Sequence, residues 1–348
     1  MSVSKVSQVR VGDGVGFEVF HGGSRMPRTD VSFGTMEDVF SINGRWPMCH
    51  CATVVALPDS GGEERLAAAW YAGTAECRPD VAVLSATWTE RDGWSGARVL
   101  VDTAGQAEGN PLLGVSPSGA LWLFFVTLDE PKWRSARLKR MCSLDGGLSW
   151  GEPSGLPGAE VGWVVRNKPI RLGAVWLLPA YDEIRWESFV LRSDDAGRSW
   201  TPGGRMAAPN GCIQPTLLST ADGLTALLRC GAPGGSVWRS RSSDHGWTWS
   251  DLEETPVHNP NSGCDGIVRA DASWALACND EPRGRGVLAL RTSSDAGTTW
   301  PGRGVLAQGS GEYSYPAMIT AASGGLHVLY THERKRIRHL RVREGWLA

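Results

Sequence analysis

One eight-residue pattern, Ser-x-Asp-x-Gly-x-[Ser/Thr]-Trp, recurs along the chain and constrains its fold more than any other feature. Its four copies are SLDGGLSW (143–150), SDDAGRSW (193–200), SSDHGWTW (242–249) and SSDAGTTW (293–300). The aspartates stand at positions 145, 195, 244 and 295, so successive copies lie 50, 49 and 51 residues apart. A constant period of this length is typical of a repeat architecture, in which each period forms one supersecondary unit.

The chemistry of these four segments, which we call the aspartate turns, is that of a tight turn between strands. An aspartate side chain accepts hydrogen bonds from the backbone N–H groups that follow it. The glycine permits a positive φ, and the tryptophan offers a large apolar face for packing between sheets. A single active site needs its catalytic aspartate once, so four equivalent copies favour a structural role.

Each period also divides into short apolar strands. The first strand of each unit spans 51–57, 111–116, 169–174, 215–220, 266–271 and 316–321. A second and a third strand follow, and a short fourth strand such as RVLV (98–101) or RGVLA (303–307) completes the unit. Six four-stranded antiparallel sheets around an axis make an all-β, six-bladed β-propeller. We expect one domain over residues 1–348, with the N-terminal strand VGFEVF (15–20) closing the last blade.

Composition excludes several classes of partner. The net charge is −2 and the charges are scattered, which argues against a nucleic-acid partner. No apolar run approaches the roughly 18 residues of a membrane span, and the first residues lack the apolar core of a secretion signal. Eight cysteines without zinc-type spacing are expected to be thiols. We therefore predict a cytoplasmic protein without a metal or cofactor, whose partner is a small molecule or carbohydrate. The oligomeric state stays open.

The predicted topology also places a site. Because neighbouring strands of a blade are antiparallel, the start of each innermost strand and the end of each second strand lie on one face, and the aspartate turns lie on the other. Polar groups that converge on one concavity are the default candidate for a site. Those predicted at this mouth are His50, Glu76, Asp80, Asn110, Arg166, Lys168, Tyr181, Gln214, Arg229, Asp265, Asn279, Tyr313, Tyr315 and His332, and Glu183 lies there two residues after Tyr181.

Several phrases resemble the sialidase-like (neuraminidase) superfamily, and the repeated peptide looks like its "Asp box". They include CHCATVVAL, WYAGTAECRPD, EGNPLL, RNKPI, IQPTLLSTADGLTALLR, NPNSGCDGIV, ACND and EYSYPAM. These phrases are similar to the BNR-repeat, sialidase-like proteins that are often labelled exo-sialidases. The resemblance implies three arginines that bind a sialate carboxylate, a tyrosine nucleophile activated by a glutamate, and an aspartate as acid/base.

Carried onto this chain one residue at a time, the resemblance fits in part. The place of the first family arginine looks like His50, and a second arginine corresponds to Arg229. The tyrosine corresponds to Tyr313, with Tyr315 as a rival, and the acid/base corresponds to Asp80, near Glu76. Gln214 stands where the activating glutamate is expected. Because a glutamine cannot take a proton from a phenol, the sequence predicts an activity other than that of an ordinary sialidase.

Three hypotheses follow. The first is a glycosidase-like hydrolase for an acidic sugar, in which Glu76 or Asp80 is the general acid and Tyr313 or Tyr315 the nucleophile or base. In this hypothesis Arg229, Arg166 and Lys168 hold the carboxylate. The second is a lyase or cyclase-type enzyme that uses His50 and a tyrosine as base and acid on a uronate or small cytosolic metabolite. The third is a propeller that binds a ligand without chemistry.

Overall fold

The structure, a computed structural model, describes residues 34–58 and 62–347. Within these residues it contains six antiparallel sheets, four with four strands and two with an additional short strand. The six-bladed β-propeller with four-stranded blades is therefore confirmed. In the same part of the chain, no helix has the length and apolar character needed to span a membrane.

The strands run blade by blade along the chain. The first strand is β1 (Gly34–Ser41), and the first blade contains β2 (Met48–Ala56), β3 (Arg65–Gly73), β4 (Ala82–Thr89), β5 (Gly93–Trp94) and β6 (Arg98–Val101). The second blade contains β7 (Ala107–Val115), β8 (Leu121–Leu128), β9 (Ala136–Ser143) and β10 (Ser154–Gly155), with a 3₁₀ helix at Trp133–Ser135. The third contains β11 (Trp163–Val165), β12 (Ile170–Leu172), β13 (Val175–Asp182), β14 (Glu187–Ser193) and β15 (Thr201–Pro202).

The second half of the ring has the same plan. The fourth blade contains β16 (Cys212–Thr220), β17 (Gly223–Cys230), β18 (Gly235–Ser242) and β19 (Glu253–Asn259). The fifth contains β20 (Asp265–Val268), β21 (Trp274–Cys278), β22 (Val287–Ser293) and β23 (Gly302–Gln308). The sixth contains β24 (Tyr313–Thr320), β25 (Leu326–His332) and β26 (Arg336–Val342), and a 3₁₀ helix follows at Glu344–Leu347.

One innermost strand differs from its prediction. The sequence predicts a strand over 169–174 in the third blade, whereas the structure has two short strands, β11 and β12, on either side of Arg166–Pro169. Pro169 cannot donate a hydrogen bond to the neighbouring strand. The chain therefore leaves the sheet at residues 166–169 and returns to it at Ile170.

The sixth blade is completed by a strand from the N-terminal side of the chain. Strand β1 pairs with β26 from Gly34 opposite Val342 to Ser41 opposite Arg336. The predicted closing segment 15–20 lies outside the described residues, and the outer position of this blade belongs to β1. Trp70 of the first blade and Ile337 of the sixth share one apolar cluster, so packing also joins the first and last blades.

The aspartate turns have the hydrogen bonds expected of tight turns. In the last copy, Asp295 accepts bonds from the backbone N–H of Thr299 at 2.8 Å and from its hydroxyl at 2.6 Å. Ser293 Oγ accepts the Gly297 N–H at 2.9 Å, and Gly297 has φ 75°. The hydrogen bond from the Thr299 side chain is the main cause that lowers the pKa of Asp295 to about 2. Each such turn joins the third strand of its blade to the fourth.

Candidate functional site

Four innermost strands carry the same irregularity near their start. Their register against the second strand slips between His50 and Thr53, Gly109 and Leu112, Ile213 and Thr216, and Ser314 and Ala317. At each slip one residue has a left-handed backbone, and we call these four the bulge residues: Cys51 (φ 57°), Asn110 (40°), Gln214 (56°) and Tyr315 (54°). A left-handed non-glycine residue costs on the order of 1–3 kcal/mol, and such strain clusters at functional sites.

Prolines help to explain why these strands bulge. Pro111, Pro215 and Pro316 each follow a bulge residue. A proline has no N–H to give to the ladder and is therefore tolerated within a sheet at bulges and edges. A bulge also re-aims the side chain that it carries. Three of the bulge residues consequently line one central cavity: Asn110, Gln214 and Tyr315.

This cavity has a volume of about 200 Å³ and a lining rich in ionisable groups. Its residues are Tyr71, Glu76, Asn110, Trp133, Tyr181, Glu183, Trp186, Ile213, Gln214, Arg229, Arg285, Tyr315 and Arg334. No aspartate turn contributes to it. An open groove of about 610 Å³ runs beside Trp122 and Asp195. That groove is mostly apolar and brings few polar groups together, so the cavity is the candidate site.

Three arginines from three blades line the cavity and form the feature that we call the arginine cluster. Arg229 is the second-last residue of β17, Arg285 lies between β21 and β22, and Arg334 lies between β25 and β26. Arg229 is 9% exposed, and its Nε donates to Asn261 Oδ1 at 2.6 Å. Arg285 Nη2 donates to the Asn261 carbonyl oxygen at 3.0 Å. Asn261 thus fixes two of the three guanidinium groups.

Two carboxylates balance part of this positive charge. Glu312 accepts bonds from Arg285 Nη1 and Arg334 Nε, both at 2.9 Å. Although burial acts to raise it, hydrogen bonds from Ser314 and Arg334 lower the pKa of Glu312. Glu76 accepts a bond from Arg334 Nη1 at 2.6 Å. Ion pairs therefore hold Arg285 and Arg334 in fixed positions.

Tyr315 lies beside the arginine cluster. Its hydroxyl oxygen accepts bonds from Arg229 Nη1 at 2.8 Å and from Gln214 Nε2 at 3.5 Å. The guanidinium groups of Arg166 and Arg285 lie 5.3 and 5.4 Å from the centre of its ring. Positive charge therefore surrounds a phenol oxygen that already accepts two hydrogen bonds. This arrangement stabilises negative charge that develops on the oxygen.

Glu183 is the most perturbed carboxyl group of the cavity. Burial raises its pKa to about 7, against the opposing effect of Arg229. The neighbouring Tyr181 hydroxyl acts on the pKa of Glu183 in the same lowering direction as Arg229. That same hydroxyl oxygen accepts bonds from Asn110 Nδ2 at 2.9 Å and Gln214 Nε2 at 3.4 Å. Gln214 consequently bridges Tyr181 and Tyr315, and Glu183 is a group that both gains and loses a proton near neutral pH.

Five predicted site residues lie behind the cavity and connect the innermost strands. His50 is buried with its ring 4.3 Å from that of Tyr315, and burial and nearby arginines hold its pKa well below the usual range. Arg166 donates to the Pro316 carbonyl oxygen at 2.8 Å. Lys168 pairs with Asp265 at 2.7 Å, and Asn279 donates to the Tyr313 carbonyl oxygen at 2.8 Å. None of these five side chains lines the cavity.

Three further predicted residues also lie away from the cavity. Asp80 accepts bonds from the backbone N–H and the hydroxyl of Thr74, both at 2.9 Å, so it closes the turn after β3. The Tyr313 hydroxyl lies 3.5 Å from Glu333. The His332 ring packs against Tyr313 with 4.9 Å between ring centres. Of the two candidate tyrosines, Tyr315 is therefore the one that the structure places in the cavity.

The sequence analysis placed Glu183 at the mouth but did not name six other residues of the lining: Tyr71, Trp133, Trp186, Ile213, Arg285 and Arg334. Tyr71 and Ile213 lie within strands β3 and β16. The other four lie in connections between a second and a third strand, two to seven positions after the end of the second strand. Extending the predicted mouth through each connection to the third strand would have included those four.

Comparison with known proteins agrees with this architecture. The family described as "BNR repeat-like domain" matches residues 64–328, whereas no curated protein matches the chain. The solved structure of the Hadza microbial sialidase Hz136 is similar over 94% of this chain and 72% of its own, with a TM-score of 0.78 and 16% identity.

Two intramolecular trans-sialidases are also similar to the chain. The leech enzyme, solved with 2,7-anhydro-Neu5Ac, has a TM-score of 0.74 and 13% identity over 91% of this chain and 71% of its own. The Ruminococcus gnavus enzyme, solved with oseltamivir carboxylate, has a TM-score of 0.72 and 13% identity over 90% and 99%. Identities this low show a shared fold.

Proposed function

The chain belongs to the BNR repeat-like domain family, and from this premise we propose that it is a glycosidase that cleaves the glycosidic bond of a sugar bearing a carboxylate. One observation carries the proposal: Arg229, Arg285 and Arg334 reach a single cavity from three blades, together with Tyr315. Guanidinium groups present planar pairs of donors that match a carboxylate. A cavity of about 200 Å³ suits one terminal sugar unit rather than a long polymer.

Likeness to the sialidases supports the same class of substrate. The sialidase resemblance implies three arginines for a sialate carboxylate, and the arginine cluster has that number. It differs in origin, because His50 stands at the place of the first-blade arginine and Arg334 of the sixth blade supplies a guanidinium group instead. The similar solved structures are described as sialidases and intramolecular trans-sialidases.

Tyr315 is the group that we assign to the anomeric carbon. Its oxygen forms a bond to that carbon as the bond to the leaving group breaks, and its proton passes to water in the cavity. Arg229 and Arg285 stabilise the charge that develops on the phenol oxygen. A cavity carboxyl group protonates the departing oxygen. An attacking water then releases the sugar and gives its proton to that carboxylate, and the proton held by the cavity water returns to Tyr315. Gln214 orients the phenol through its amide and takes no proton.

The histidine-based lyase hypothesis receives less support. It requires His50 to reach the substrate, yet His50 is 1% exposed and lies behind Tyr315. Its Nδ1 is hydrogen bonded to Thr331 Oγ1 at 2.9 Å. We therefore assign His50 to the support of the Tyr315 ring.

Comparing three fluorogenic substrates tests the proposal: a sialoside, a glucuronide and a glucoside. We expect turnover only with the first two, because the glucoside lacks a carboxylate. Arg334→Met should reduce kcat/KM by roughly 10²-fold through loss of a buried charged contact. Arg336→Met is the matched control, since Arg336 lies two residues away and pairs with Asp38 outside the cavity. Equal turnover of the glucoside, or equal effects of both variants, would contradict the proposal.

A further inference from the structure

Two carboxyl groups of the cavity have different partners. Glu76 is tied to Arg334 at 2.6 Å and accepts the indole N–H of Trp133 at 3.0 Å. Both donors fix the position of the Glu76 carboxylate. Glu183 has no ion pair among the described residues and lines the same cavity as Arg229 and Tyr181. The geometry thus separates a fixed carboxylate from a carboxyl group that is free to change its charge.

Among the arginines of the cluster, Arg229 is the one that acts on the charge of Glu183. The groups that act on its charge are Arg229, Tyr181, Glu76 and Asp182. Of these, Arg229 is the only cation, and it favours the charged form of Glu183, whereas burial and the two acidic neighbours favour the neutral form. The remaining charged groups around the cavity, Arg285, Arg334 and Glu312, form ion pairs with one another or with Glu76.

A bound carboxylate changes this balance. An anion at the arginine cluster places a negative charge next to Arg229 and offsets its attraction for Glu183. It also displaces water from the cavity, which strengthens the preference of Glu183 for the neutral form. Both effects act in the same direction, so occupation of the cluster by an anion favours a proton on Glu183.

We propose that Glu183 is the general acid of the site and that binding of the substrate's own carboxylate causes Glu183 to take up the proton that it then donates. This inference rests on the proposed function, because it needs an anion at the arginine cluster. In the reaction the Glu183 O–H bond breaks as its proton moves to the glycosidic oxygen, which receives the electron pair of the breaking bond to the anomeric carbon. Glu183 is left as a carboxylate, ready to take a proton from the attacking water.

Binding calorimetry at pH 7 tests the proton uptake directly. N-acetylneuraminate and glucuronate serve as carboxylate probes, glucose serves as the neutral probe, and each is measured in two buffers with different heats of ionisation. A group that titrates near pH 7 is about half protonated there, so full protonation takes up about 0.5 proton for each bound anion. Glu183→Gln should bind the anions but lose the uptake. Glu187→Gln, in the same hairpin but paired with Arg205, should keep it.

The possible outcomes separate the two proposals. Anion binding without proton uptake, or uptake that survives in Glu183→Gln, overturns the proposal that anion binding protonates Glu183 and leaves the proposed function intact. Failure of both carboxylates to bind better than glucose overturns both.

A kinetic comparison tests the acid role itself. Acid catalysis matters most when the leaving group is a poor one. Glu183→Gln should therefore slow an alkyl sialoside at least about 10²-fold and a 4-nitrophenyl sialoside much less. The alkaline limb of kcat should also lie at higher pH than that of kcat/KM, because the two report the bound and the free enzyme. Equal losses on both substrates, or coincident limbs, would show that Glu183 acts only through structure.

Discussion

Tyr315→Phe removes one oxygen atom from the centre of the cavity and should abolish most of the turnover. The oxygen has two roles in the proposal: it bonds to the anomeric carbon, and it accepts the 2.8 Å hydrogen bond from Arg229 Nη1. Without the nucleophile, the remaining arginines and carboxyl groups still bind and polarise the substrate. We therefore expect kcat to fall by at least about 10³-fold while the affinity for an anionic ligand changes little.

The structural cost of the same change can be worked out from the contacts. A hydrogen bond to a charged group contributes about 1.5–3 kcal/mol to stability. Arg229 keeps Asn261 and Gln214 as partners, so the loss should lie near the lower end of that range. A loss of about 1.5 kcal/mol corresponds to a fall in Tm of only a few degrees for a large domain. The fold of the variant should therefore survive.

Tyr313→Phe is the matched control. It removes the same atom from the neighbouring tyrosine of β24, whose hydroxyl has a single 3.5 Å contact with Glu333 and does not line the cavity. Turnover of a fluorogenic sialoside and thermal unfolding should both stay close to those of the parent. If Tyr313→Phe loses turnover and Tyr315→Phe keeps it, the placement of the nucleophile is refuted.

Three further predictions concern stability. Asp295→Ala should cost about 0.5–2 kcal/mol, as loss of a capping side chain does, without changing turnover; thermal unfolding beside Asp251→Ala, an exposed aspartate outside the turn, checks this. Burial lowers the pKa of His327 and His339, so the unfolded chain binds more protons than the fold and the Tm should drop as pH falls below about 6.5. Glu183 has the opposite sign: its pKa of about 7 exceeds its ordinary 4.5, so stability is lost as pH rises between those values, and Glu183→Gln should raise the Tm at pH 8 more than at pH 4.

The fold could be read from the sequence because its causes are local and repeated. Each aspartate turn carries its own acceptor, its own glycine and its own tryptophan, so four copies report the period without any knowledge of distant contacts. The predicted fourth strand RVLV also coincides with β6 (Arg98–Val101), although its blade carries none of the four aspartate turns. Closure is different, because the pairing of β1 with β26 joins the two ends of the described chain. The local sequence of a strand does not indicate with which distant strand it will pair.

The candidate site was predicted less completely because its members depend on loops and bulges. Gln214 and Tyr315 were found since they adjoin the innermost strands that the pattern marks. Tyr313 and Tyr315 both lie in β24, and the alternation of side chains along a strand cannot distinguish them. What distinguishes Tyr315 is its left-handed backbone (φ 54°) and the proline that follows it. Arg285 and Arg334 lie in connections whose length and path no periodicity fixes.

Under the proposed function, the origin of the arginine cluster illustrates how a propeller can keep a site while its residues change. All innermost strands approach one axis, so a point near that axis can be reached from more than one blade. Here the first blade contributes His50, whose neutral ring supports Tyr315 at 4.3 Å. The neighbouring sixth blade contributes Arg334, which Glu76 of the first blade holds by an ion pair. A cation placed from the next blade, with a carboxylate of the first blade to fix it, can serve the same substrate group.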